Sequence, residues 1–204
     1  MPTRREHWDL VYAAKRETEV SWYQPVPEQS LRFIRAAAPG TTASILDVGG
    51  GASHLVDELL SLGYADVSVL DISQAALDHS KERLGRLAGK VSWIAADIAN
   101  WSPPRTWDVW HDRAVFHFLT AAKDQDAYIA ALNAATKPGS VAIISTFALD
   151  GPERCSGLPV QRYSPTSLAA RIDASFECVS EALESHTTPW GSVQKFAYAV
   201  LKRR

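Results

Sequence analysis

The residues with the most chemical content are three aspartates and a run of glycines. Residues 44–54 read SILDVGGGASH, so Asp47 is followed by Gly49, Gly50 and Gly51. Three successive residues without a Cβ let a backbone turn with φ > 0 and lay its amides against a ligand. Set between a buried strand and a helix, such a loop suits a nucleotide-like cofactor. Asp71-Ile72 follows 24 residues beyond Asp47, and Asp97-Ile98 comes later. An acid at position 71 can accept from both hydroxyls of a ribose. Asp97 can accept from an exocyclic adenine amine, with Ile98 packing on the ring. Each aspartate alone is an ordinary strand-end or capping residue. The three in series carry the argument.

The elements that must position these residues are legible as an alternation. Strand-like segments occur at 44–48 (SILDV), 67–71 (VSVLD), 91–96 (VSWIAA), 107–112 (WDVWHD) and 140–147 (SVAIISTF). Between them, residues 54–63, 73–89 and 124–137 carry apolar residues at intervals of three and four, as amphipathic helices do. Ser73 suits an N-cap, and Lys137-Pro138-Gly139 reads as a helix stop followed by a strand start. Repeated β–α units with near-continuous apolar strands predict a parallel sheet covered on both faces, a three-layer Rossmann-like α/β sandwich. A helix from Ser164 then leads to FECVSEALES (176–185) and VQKFAYAVLK (193–202), two strands joined by a turn-rich loop and therefore an antiparallel pair. Before the first strand, residues 7–15 and 27–38 read as helices. In an open α/β sheet the strand ends carrying Asp47, Asp71 and Asp97 face one crevice.

Spacing disfavours two common nucleotide fingerprints. A dinucleotide fingerprint places its third glycine where this chain has His54, and the phosphate-cradling G-x-x-x-x-G-K-[ST] is absent. The order D-V-G-G-G-A-S, V-L-D-I-S, A-A-D-I, closed by the terminal hairpin, resembles the class I S-adenosylmethionine-dependent methyltransferases, small bacterial type. The ordered motifs cover roughly residues 40–147, and the last position of the glycine loop is Ser53.

The resemblance implies a mostly parallel seven-stranded sheet with its last strand antiparallel. It also implies S-adenosylmethionine as cofactor and S-adenosylhomocysteine as product. Asp47, Gly49, Gly50 and Gly51 would lie near the methionine part, Asp71 and Ile72 at the ribose, and Asp97 and Ile98 at the adenine. The segment HDRAVFHFL would hold the methionine end and face the substrate, with Arg113 toward the cofactor. The aromatic N-terminus, with Trp8, Tyr12, Trp22 and Tyr23 in sixteen residues, looks like a cap that folds over the cofactor in such enzymes. That likeness makes Trp22 and Tyr23 pocket residues and Lys15 a weaker one.

Methyl transfer chiefly needs a nucleophile aligned with the S–CH₃ bond and water excluded. His117 and Asp112, with Tyr23, are the catalytic candidates, although Asp112 serves equally as a cap and His117 as a core histidine; His111 reads as structural. The long connection GPERCSGLPVQRYSP offers Arg162 as an anion clamp, Tyr163 as a pocket wall and Cys155 as a thiol. The chain is expected to be one domain over 1–204, with a helical cap (1–40), a cofactor core (41–147) and a substrate loop with hairpin (148–204).

Composition excludes other classes. The 21 basic and 23 acidic residues give a net charge of −2 and no electrostatic footprint for nucleic acid or an anionic membrane. Two cysteines build neither a disulfide framework nor a four-thiolate metal site. Without a signal-like or membrane-spanning apolar run, the cytoplasm is the expected location. The function expected is methyl transfer to N, S or O of a small-molecule acceptor. The alternatives are a protein-lysine methyltransferase, an NAD-dependent oxidoreductase and a noncatalytic cofactor-binding module.

Overall fold

A computed structural model describes residues 3–204. Seven strands form one sheet: β1 (Ser44–Val48), β2 (Asp66–Asp71), β3 (Val91–Ala95), β4 (Trp107–Arg113), β5 (Thr136–Phe147), β6 (Phe176–Thr187) and β7 (Val193–Arg203). Their order is β3-β2-β1-β4-β5-β7-β6, with β7 antiparallel to both its neighbours and the other contacts parallel. The sheet therefore has the expected strand number and the expected single reversed strand. The chain order reverses between β1 and β4, which opens a crevice at the carboxyl ends of the strands.

Six helices cover it: α1 (Arg4–Ala14), α2 (Glu28–Ala37), α3 (Leu55–Ser61), α4 (Gln74–Leu84), α5 (Ala122–Ala134) and α6 (Pro165–Arg171). Strand alternation sends successive side chains to opposite faces. Ile45, Val109 and Ile143 pack with Leu31 and Ile34 of α2, Leu55 and Leu59 of α3 and Leu77 of α4. Leu46, Trp110 and Ile144 pack on the other side with Leu132 of α5 and Leu168 of α6. All five residues of β1 are buried, as a strand covered on both faces must be.

Local chemistry explains where the boundaries moved. Helix α1 starts three residues earlier than periodicity implied, because Thr3 and Glu6 form a capping box. The helix from Ser73 ends at Leu84, where Gly85 turns with φ +55 into a short 3₁₀ segment, Gly85–Lys90. Lys137-Pro138-Gly139 does not precede β5 but lies within it: α5 ends at Ala134, and β5 begins at Thr136. Gly139 at φ +91 accompanies an irregular register against β4 between Trp107 and Val109. A bulge absorbs the residues that a helix stop was expected to use. Among the described residues, no helix is long and apolar enough to cross a membrane.

Leu46 is fully buried at the centre of the sheet. Truncation in Leu46→Ala is expected to cost about 2–5 kcal/mol of unfolding free energy. Urea denaturation followed by circular dichroism measures it, and a loss well under 1 kcal/mol would contradict this packing.

Candidate functional site

The register of β1 and β4 builds the base of the site. Asp47 and His111 are direct partners across the parallel pair, on the same face, and His111 Nδ1 lies 2.7 Å from Asp47 Oδ1. An ionised carboxylate only accepts, so Nδ1 carries the hydrogen. In the neutral ring Nε2 then accepts from the Ser30 hydroxyl of α2 at 2.8 Å. All three side chains are buried. The second oxygen of Asp47, Oδ2, is buried without a hydrogen-bond partner.

The glycines after Asp47 have separate duties. Gly49 turns with φ +69, and a Cβ there would overlap Val115. A Cβ on Gly50 would overlap the Asp47 carboxylate. At Gly51 it would come within 2.5 Å of Asp71 Oδ2 and 2.7 Å of the Ala76 Cβ. The bare backbone is thus a packing surface for Asp47, Asp71 and Val115. It keeps both acids where the strands end.

Asp71 is 5 % exposed. Its Oδ1 accepts from the Ser73 amide at 2.8 Å. Burial, only partly offset by that bond and one from the Gly51 amide, pushes its pKa up to about 7. Asp97 Oδ1 accepts from the Ala99 amide at 3.0 Å, and Arg4 approaches its Oδ2 at 3.5 Å. Both acids line a cleft, open to solvent, that runs along the strand ends from β3 to β7. Ile72, Ile98, Gly49, Trp22 and Arg113 line it too. Asp47 and Gly50 line an adjoining pocket behind the glycine turn, together with Tyr23, Trp22 and Arg113. Gly51 is in neither wall; it supports Asp71 from behind.

Several expected contacts are not brought to the cleft. Two-residue alternation puts Asp112 on the face opposite His111 and Arg113, fully buried. There it accepts from the Val115 and Phe116 amides at 2.8 and 3.1 Å and from the Tyr128 hydroxyl at 2.7 Å. It caps the turn after β4, and burial raises its pKa to about 6. His117 is also fully buried, accepting at Nδ1 from the Phe147 amide, and burial lowers its pKa to about 3. Neither side chain lines the cleft. Tyr23 lies edge-on to His54 in the adjoining pocket. Arg162 donates to the Gly151 carbonyl and pairs with Glu153, while the Tyr163 hydroxyl accepts from Gln125. Both are tied into the loop that was expected to wall the pocket and stand outside the cleft.

The structure adds Phe147 and Phe196, which sequence reasoning passed over, and seats beside them residues it had named. Phe147, ending β5, and Phe196, near the start of β7, are register partners and line the cleft together with Phe118 and Cys155. Their ends meet because β7 runs backwards. Trp8 and Tyr12 of α1 close the cleft from above, Trp8 edge-on to Phe118 and Trp22. The Asp9 carboxylate of α1 accepts from the Ser73 hydroxyl at 2.6 Å. Cys155, flagged as a loop thiol, is buried in the cleft wall, and that burial pushes its pKa up to about 11. Such a thiol stays protonated and unreactive. Ala114, next to Arg113, holds φ +73, a conformation rare without glycine. No cluster of His, Cys, Asp or Glu suited to a metal exists among the described residues.

Asp71 gives a pH-dependent test. Its proton is held more tightly in the folded chain than at the ordinary value of 3.8. The stability this contributes is complete below about pH 4 and is lost as pH rises to about 7. Asp71→Asn has no proton to lose, so its stability relative to wild type should grow across that window, at no more than about 1.4 kcal/mol per pH unit. Urea unfolding of both proteins at several pH values measures the difference. A difference independent of pH would contradict the buried carboxylate.

Residues 45–139 match a family model described as a methyltransferase domain. The chain is 26% identical over 121 residues to the eEF1A lysine and N-terminal methyltransferase of Mus musculus, covering 59% of this chain. The chain spans 17% of that protein's length. Among solved structures it superposes on a SAM-dependent methyltransferase from Anabaena variabilis with a TM-score of 0.76 at 14% identity, covering 100% of this chain and 96% of that one. It also superposes on the 1,6-didemethyltoxoflavin-N1-methyltransferase of Burkholderia thailandensis, bound to its substrate and S-adenosylhomocysteine. The TM-score there is 0.70 at 17% identity, with 95% and 80% covered. With a single reversed strand in a seven-stranded sheet, a glycine turn after β1 and acids at the ends of β2 and β3, the chain carries a match to a methyltransferase domain over residues 45–139 and has the fold of a solved SAM-dependent methyltransferase.

Proposed function

We propose that this protein binds S-adenosylmethionine across its strand ends and transfers the methyl group to a nucleophilic atom of a small-molecule acceptor. The observation that carries this is the meeting of Asp71, Asp97 and Gly49 with Arg113 and an aromatic wall in one cleft. The residues fit the cofactor on their own geometry. The buried Asp71 carboxylate, which two backbone amides only partly compensate, has lone pairs to spare, and two ribose hydroxyls would donate to them. The unpartnered Asp47 Oδ2 behind the glycine turn would face the ammonium of the methionine part. Asp97 and Ile98 would hold the adenine.

When bound, the cofactor supplies an electrophilic methyl carbon, so no metal or covalent nucleophile is required of the chain. The chain's own work is orientation and exclusion of water. Trp8 and Tyr12 cover the cleft from α1, and Trp22 stands beside them, its carbonyl accepting from Arg113 Nη1 at 3.2 Å. This aromatic roof over the cleft supports a small acceptor, as does the solved toxoflavin-precursor enzyme of the same fold. The lysine-methylating mouse relative supports a protein side chain as the second reading.

Calorimetry with S-adenosylhomocysteine tests the first half. The wild type is expected to bind it, and Asp71→Ala to weaken binding by tenfold or more, about 1.4 kcal/mol. Unchanged affinity would remove Asp71 from the ribose. Release of S-adenosylhomocysteine, screened against small thiols, amines and carboxylates and against protein from a lysate, tests the second half. Turnover confined to protein would favour the second reading.

A further inference from the structure

The cleft divides by chemistry along the sheet. Its β2 and β3 side carries Asp71 and Asp97; beyond the glycine turn, the side built by β4, β5 and β7 has Phe118, Phe147 and Phe196 around Arg113. The Arg113 side chain is 10% exposed. Nη1 donates to the Trp22 carbonyl, whereas Nε and Nη2 have no hydrogen-bond acceptor. The nearest carboxylate, Glu184, stands 3.7 Å from Nη2. Its oxygens already accept from Gln24 and from the Tyr198 hydroxyl, each at 2.9 Å. The Phe196 ring lies 4.4 Å from the guanidinium carbon. Glu184 thus gives the guanidinium a counter-charge, yet two of its nitrogens, taken from water, lack the hydrogen-bond acceptors that a bound anion would supply.

The same half of the cleft has no group to take a proton from an acceptor. Among the described residues, no His, Asp, Glu or Lys lines it beside Arg113, and the ring of His117, four residues along, is buried behind it. An acceptor that reacts here must arrive without a proton to lose.

We propose, resting on the reading that the cleft binds S-adenosylmethionine, that the acceptor is a small anionic nucleophile, a thiolate or carboxylate, drawn to Arg113. Its lone pair forms the bond to the methyl carbon as the S–CH₃ bond breaks, and that bonding pair stays on the sulfonium sulfur. No proton moves. An anion and a sulfonium cation become two products without either charge, a change that an apolar aromatic wall favours. An ammonium such as that of lysine would meet the like charge of Arg113. It would also need a base that this wall does not supply.

Matched probes of one size and opposite charge test this. Calorimetry on the protein saturated with S-adenosylhomocysteine should show propionate binding at least about tenfold tighter than propylammonium. Arg113→Met should weaken propionate about tenfold or more, and by a larger factor than it weakens S-adenosylhomocysteine, and Arg113→Lys should restore part of the loss. Arg113→Gln serves if the methionine variant does not fold. In turnover, 1-propanethiol or propionate should release S-adenosylhomocysteine faster than 1-propylamine, the faster of the two naming the anion. Faster turnover of the amine, or propionate binding indifferent to Arg113, would overturn the inference. So would an Arg113→Met protein that loses S-adenosylhomocysteine as strongly as propionate, because the guanidinium would then hold the cofactor's own carboxylate. A wild type that binds no S-adenosylhomocysteine defeats the parent reading instead, before any acceptor is added.

Discussion

The hydrogen bond from His111 to Asp47, 2.7 Å long and buried between adjacent parallel strands, is the constraint around which the site is arranged. A one-residue slip of β4 against β1 would turn His111 to the opposite face and strand Asp47 without a donor. Ser30 extends the same link to α2. With the register held, Asp47 packs against Gly50, Gly49 turns over Val115, and Arg113 emerges two residues beyond His111 on the same side. One short contact thereby sets both the glycine turn and the cation in the cleft wall.

The cleft is held at a cost in stability. Burial opposes the ionised form of Asp71 and deprives Arg113 of water without giving it a full set of acceptors. Groups placed for a ligand commonly destabilise the fold that carries them. The two walls of the sheet offset this with fully buried aromatic and aliphatic side chains such as Trp110, Phe116 and Leu46. The contrast with Asp112 is instructive. That carboxylate is equally buried, but two amides and the Tyr128 hydroxyl satisfy it, so it works for the turn rather than for a ligand.

Much of the fold was legible because it is written in short-range patterns. The cores of all seven strands, the Ser73 cap and the acids at the ends of β2 and β3 follow from runs and spacings within about ten residues. Boundaries shifted where side chains and backbone competed locally, as at Thr3 with Glu6 and at the Gly139 bulge. The two-residue period also carried information left unused: it places Arg113 with His111 and excludes Asp112 from their face.

Sequence alone determined the class of the sheet and the acids at its strand ends, since Asp71, Ile72, Asp97 and Ile98 each sit where a strand ends and need only the parallel order to converge. It could not decide the aromatic half of the cleft. Phe147 meets Phe196 only because β7 runs antiparallel beside β5. Arg113 meets Glu184 across the same reversal, and Trp8 reaches Phe118 only when α1 folds back over the strand ends. His117 and Arg162 carry the right chemistry, yet packing turned one into the core and the other into its loop. Residue type states what a side chain can do. Which cavity it enters depends on contacts tens of residues apart, and no local pattern encodes those.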